Sequence, residues 1–65
     1  MTPKFTEREQ DVLKLVAKAS QRKMIATELK ISLKTVDAHL QNIRQKTNTH
    51  SIAELVLFLV LNGFL

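Results

Sequence analysis

The apolar side chains of this chain recur at spacings of three and four residues, in four separate runs. Val12, Leu13, Val16 and Ala17 make the first stripe, and Ile25, Ala26 and Leu29 a shorter second one. In the third, Leu33, Val36, Leu40, Ile43 and Thr47 fall within about 80° on a wheel turning about 100° per residue. Lys34, Ala38, Gln41 and Gln45 gather on the opposite side, with Thr35 and Asn42 beside them and Asp37 and Arg44 between the two stripes. The fourth run, from Ile52 to Leu61, is apolar on nearly every side and interrupted by Glu54. This periodicity predicts helices.

Start and stop signals place those helices at about 6–18, 21–29, 33–47 and 51–62. Thr6 and Glu9 fit a capping box, in which each side chain takes the other's backbone amide. Ser20 or Gln21 opens the second helix, where Arg22 and Lys23 stand at the wrong end of the helix dipole. That placement makes sense if the helix end approaches an anion, which backbone amides and Lys23 then hold together. A turn follows at Lys30 and Ile31, and Ser32 is a good N-cap for the third helix. Asn48 suits the left-handed closing position, and Ser51 and Glu54 fit a second capping box. Gly63 can close the fourth helix, with Phe64 placed to touch Leu59. The expected fold is all-α: one four-helix domain over residues 1–65, with a central helix-turn-helix.

Composition and charge narrow the function. A chain of 65 residues buries only about 60% of its unfolded surface. It has no cysteine, so no disulfide and no cysteine-based zinc site, which fits a reducing cytoplasm. Hydrophobic content of 45% excludes disorder, and one glycine and one proline argue against a turn-rich β-fold. The net charge of +4 divides unevenly: −1 over residues 1–13, +6 over 14–46 and −1 over 47–65. A basic middle suits a polyanion. Residues 1–13 carry both charge signs and no apolar run, unlike a signal peptide. "LVLFLVL" at 55–61 is far short of the roughly 18 apolar residues of a spanning helix, so no membrane partner is expected. The two histidines lack the neighbours of a metal site, and no nucleophile–base pair or phosphate loop is present. Neither enzymatic activity nor a cofactor is expected.

Specific motifs then match a known family. "FTEREQDVLKLVA" resembles the opening of the LuxR-type DNA-binding domain, usually Leu-Thr-x-Arg-Glu-x-Glu-Val-Leu. "KMIATELKIS" resembles its Lys-Glu-Ile-Ala-x-x-Leu-x-Ile-Ser, and "KTVDAHLQNIRQK" its Lys-Thr-Val-x-x-His-x-x-x-Ile-x-x-Lys. "IAELV" resembles the start of the family's last helix. The match runs from residue 5 to 57 in register and without gaps.

The resemblance implies a four-helix domain of response regulators and quorum-sensing regulators, with the third helix in the major groove and the fourth at a dimer contact. By position it makes Lys34, Thr35 and His39 DNA-backbone contacts, with Lys23 and Lys46 as additions. Asp37, Ala38 and Gln41 match positions that reach bases. Leu55, Leu57, Phe58 and Leu61 are the candidates for the dimer interface. Three departures stand out. Ala19 replaces the usual glycine, Gln21-Arg22 the usual Ser-Asn, and Thr47-Asn48-Thr49 the usual Leu-Gly-Val. The two threonines remove apolar side chains from the joint between the last two helices, which predicts weaker packing there.

Each site residue also has a plainer reading. Lys34 and Lys46 can be solvated charges, His39 a packed surface residue, and Gln41 and Gln45 ordinary helix formers. Ala38 can meet a thymine methyl or simply permit close approach. Asp37 can accept a hydrogen bond from cytosine, or cap or pair within its own helix. The expected function is sequence-specific binding of double-stranded DNA by a homodimer, in bacterial transcription regulation in the cytoplasm at the nucleoid. RNA polymerase is a further candidate partner. The alternative is a protein-interaction module of the same fold. The chain reads either as an excised domain starting at an introduced Met1 or as a short free-standing regulator, the former being favoured.

Overall fold

The computed structural model describes residues 4–18 and 20–63. Four helices follow one another: α1 (Glu7–Ala17), α2 (Arg22–Leu29), α3 (Leu33–Thr47) and α4 (Ile52–Leu61). They match the expected all-α order, with boundaries displaced by no more than a residue.

Three helices begin on a side-chain cap. Thr6 Oγ1 accepts from the Glu9 amide at 3.1 Å, and Glu9 Oε1 accepts from the Thr6 amide at 2.9 Å, completing the capping box. Ser32 Oγ accepts from the Thr35 amide at 3.0 Å, and Ser51 Oγ from the Glu54 amide at 3.1 Å. The second capping box closes differently from expectation. Glu54 reaches one residue further back, and its Oε2 accepts from the His50 amide at 3.0 Å. α2 has Gln21 as N-cap, with no side-chain hydrogen bond and no acid in its first turn.

α2 and α3 stop in the same way. Lys30 and Asn48 both take the left-handed conformation, with φ of 58° and 55°. The Ile31 amide then donates to the Ala26 carbonyl at 3.0 Å, and the Thr49 amide to the Arg44 carbonyl at 3.0 Å. Both are Schellman closures. Asn48 was legible as such a residue; Lys30 was not, because its Cβ crowds the following carbonyl at a cost of about 1–2 kcal/mol and it lacks the short polar side chain that eases this for Asn. The tight turn it makes brings α3 back against α2. Gly63 is left-handed at the end of α4, with φ of 76°. The expected contact of Phe64 with Leu59, and the Ala19 departure, lie outside the described residues.

α1 and α3 form the centre. Each meets every other helix, whereas α2 and α4 do not meet one another among the described residues. The core joins Val12, Leu13, Leu15 and Val16 of α1 with Ile25 of α2, Val36, Leu40 and Ile43 of α3, and Leu55 and Leu59 of α4. Leu15 joins it beyond the expected stripe, while Ala17 is only half-buried. The threonines at the α3–α4 joint are accommodated by hydrogen bonding. Thr47 is buried, its hydroxyl donates to the Ile43 carbonyl at 2.9 Å, and it lies 2.9 Å from the Thr49 hydroxyl. The docking of α4 falls to Leu55 and Leu59, both fully buried.

One polar tie crosses this core. The Glu9 side chain is 4% exposed, and its Oε1 accepts from Lys46 Nζ at 2.6 Å. The same ammonium donates to the Lys4 carbonyl at 3.2 Å. The far end of α3 is thereby fastened to the start of α1. Burial works to raise the Glu9 pKa, but the Lys46 ammonium and the Thr6 amide outweigh it and hold the carboxyl below its usual range.

A depressed folded-state pKa stabilises the fold fully above the unfolded value, roughly 4.3, and this stabilisation disappears as pH falls through the folded value. Glu9→Gln is expected to cost about 1.5–3 kcal/mol at neutral pH, the value of a hydrogen bond to a charged group. It is also expected to flatten the acid side of the stability profile. Urea midpoints at several pH values check both; a variant with the parental midpoint and acid slope would show that the tie contributes nothing.

Candidate nucleic-acid interface

α3 separates two chemistries. Val36, Leu40 and Ile43 are at most 2% exposed, whereas Lys34, Ala38, Gln41, Asn42 and Gln45 on the other side are exposed. The open side carries amides, an ammonium and a methyl group, and its only acid lies at its edge.

That acid is Asp37. Arg22 Nη1, from the first residue of α2, meets Asp37 Oδ1 at 2.6 Å. On a helical wheel Asp37 stands about 80° to one side of the buried stripe and Lys46 about 100° to the other. α3 is therefore tied on both flanks, by Arg22–Asp37 to α2 and by Lys46–Glu9 to α1, and its free face lies between the ties. Sequence reasoning placed Arg22 at an awkward helix end and Asp37 at an awkward helix edge without joining them. The signal was available in part: Arg22, like Lys23, was a charge the α2 dipole disfavours, and Asp37 was the lone acid of α3.

The other expected residues divide by what already holds them. Lys23 and Lys34 are exposed and make no ion pair among the described residues. Thr35 is half-buried in the α3 cap, its hydroxyl 2.8 Å from that of Ser32. His39 is half-buried on the Lys46 flank. Lys46, expected at a phosphate, has its ammonium directed to Glu9 and Lys4, because the capping box of α1 presents a carboxylate within its reach.

On α4, the structure corrects one interface residue. Leu55 is fully buried in the chain's own core, since it shares a side of α4 with Leu59. Phe58 is half-buried and packs against the core. Leu57 and Leu61 are exposed at 57% and 74%, and Val60, not anticipated, joins them at 53%. Val60 lies three residues beyond Leu57, so helical spacing alone could have found it.

Among the described residues, no group of three or more His, Cys, Asp or Glu side chains could hold a metal ion. No described helix is long and apolar enough to cross a membrane.

Residues 3–59 match the profile of the bacterial regulatory proteins of the luxR family. The chain belongs to the LuxR family. The domain is 44% identical over 60 residues to the nitrate/nitrite response regulator protein NarP of Escherichia coli (strain K12), covering 91% of this chain and 28% of that protein. It is 47% identical over 52 residues to the oxygen regulatory protein NreC of Staphylococcus carnosus (strain TM300), covering 80% and 24%. Among solved structures it resembles a chain of the VqmA dimer of Vibrio cholerae, a LuxR-type receptor. That match has a TM-score of 0.93 and 33% identity, and covers 97% of this chain and 28% of that one. The LuxR-family domain thus spans about a quarter to a third of the curated relatives it matches. Regulation of transcription through DNA binding is the function that its family and its response-regulator relatives support.

The flank ties differ in burial, and so in what they hold. Arg22 and Asp37 have side chains 56% and 45% exposed. Exposed pairs contribute about 0.2–1 kcal/mol, so Arg22→Ala is expected to shift stability by less than about 1 kcal/mol. Urea unfolding checks this; a larger loss would make the pair a structural strut.

Proposed function

We propose that this domain binds double-stranded DNA with α3 in the major groove and regulates transcription as a homodimer, in the bacterial cytoplasm. The observation that carries the reading is the exposed polar face of α3 opposite the buried Val36, Leu40 and Ile43. A helix held so firmly on one side offers the other to a groove of matching width. Lys34 supplies a phosphate contact at one end of that face. Lys23 supplies another together with the α2 amides, which no side chain or acid caps. Thr35 and His39 flank the backbone on the same helix. Gln41 suits adenine, whose edge a side-chain amide can bond in two places, and Ala38 suits a thymine methyl.

Dimerisation is assigned to the outer side of α4. Leu57, Val60 and Leu61 leave an apolar stripe on a helix whose inner side is already covered. A second copy presents the same stripe, and two-fold pairing would set two α3 helices at a fixed spacing along DNA.

Selection from a random duplex pool tests groove binding. A defined half-site is expected, with log affinity falling against log salt by about 0.9 per phosphate contact. Lys34→Ala is expected to lower that slope by about one contact, and Gln41→Ala to relax preference at one base pair for about 1–3 kcal/mol. A folded chain that selects no DNA but captures a partner protein would favour an interaction module. For the α4 contact, Leu57→Glu is expected to leave a helical monomer in sedimentation velocity. A parental chain that is monomeric at every concentration would remove the dimer.

A further inference from the structure

We infer that Arg22 reads a guanine at the edge of the groove-binding face, and that Asp37 is its positioning residue and reads no base itself. This rests on the DNA-binding reading above.

Arg22 has no role on its own helix. It is the first residue of α2, where the dipole disfavours a cation and no acid of the first turn compensates it. Asp37 is equally out of place, as the lone acid of α3, on a helix offered to a polyanion. The 2.6 Å contact between them answers both anomalies at once. Both side chains remain about half exposed, so the contact does little for stability and leaves the guanidinium accessible.

The location favours readout. Asp37 lies three residues after Lys34 and four before Gln41, so all three share one side of α3. Arg22 is thus brought from α2 to the flank of the face proposed to meet bases. The charge balance favours a base over a phosphate. Phosphate binding draws its strength from uncompensated positive charge and counterion release, and a neutral pair offers little of either. Hydrogen-bond donors remain: an arginine has five N–H groups, and Asp37 Oδ1 engages one nitrogen. A free guanidinium edge matches the O6 and N7 acceptors of guanine. The carboxylate holds that edge in one orientation before DNA arrives, which lowers the ordering cost of binding.

The experiment is duplex selection followed by titration with the 65-residue chain, its Arg22→Ala, Arg22→Lys and Asp37→Ala variants and the double alanine variant. Circular dichroism checks that each is folded. The parental half-site is expected to contain one strongly preferred G·C pair. Arg22→Ala should abolish that preference and weaken binding to the selected site roughly 5- to 150-fold, the range of one bidentate base contact. Its salt slope should stay as it was, and Arg22→Lys should not restore the preference. Asp37→Ala should weaken the preference when Arg22 is present and add nothing when it is absent.

Three results overturn the inference alone. Even loss across all sequences with a lower salt slope would make Arg22 a phosphate contact. A preference that survives Arg22→Ala but vanishes in Asp37→Ala would make Asp37 the reader. A half-site unchanged by either variant would make the pair a solvated one. A folded parental chain that selects no sequence overturns the DNA-binding reading together with this inference.

Discussion

The burial of one stripe of α3 is the constraint on which the domain depends. Val36, Leu40 and Ile43 are buried in the core to which all three other helices contribute, and α3, like α1, meets each of the others. A helix of this length has room for one apolar stripe and one polar face. Once the stripe is sealed, the position of the polar face is decided to within the precision of core packing. α1 and α4 support it from behind, and α2 crosses beside it through a three-residue turn. The left-handed residues Lys30 and Asn48 make the turns before and after α3 short enough for this arrangement.

Electrostatics completes what packing begins. Two acids that lie on or against α3 are already paired. Glu9 is buried against Lys46, and Asp37 faces Arg22. Glu54, the next acid in the chain, is occupied at the start of α4, where the helix dipole favours it. Lys23 and Lys34 remain exposed and unpaired among the described residues. Two of the cations behind the +6 excess of residues 14–46, Lys23 at the start of α2 and Lys34 on the open side of α3, are therefore available to an anion. The same pairing gives the two flanks different characters: one tie is buried and holds helices together, the other is exposed and leaves its arginine accessible.

α4 shows the opposite balance. Its leucines at 55 and 59 belong to the core, while Leu57, Val60 and Leu61 are exposed among the described residues. An apolar helix at the edge of a 65-residue core has more apolar surface than its neighbours can bury. Leu57, Val60 and Leu61 fall on one side of the helix, where helical spacing gathers them into an exposed apolar stripe.

Much of this was legible in the chain itself. Helical periodicity, the capping residues Thr6, Ser32 and Ser51, and the stripe of α3 follow from local chemistry, because spacing and caps act within a few residues of one another. The family register followed from the same local motifs. What the sequence could not decide was every relation between residues distant along the chain. The pairing of Arg22 with Asp37 spans 15 positions, and that of Glu9 with Lys46 spans 37. Each depends on how helices pack, as does the turning of Leu55 inward and Val60 outward on a helix apolar all round. Local patterns determined the elements and the open face of α3. Tertiary packing alone decided which charges on that face stay free, because an ion pair forms only where packing brings two side chains within a few ångströms.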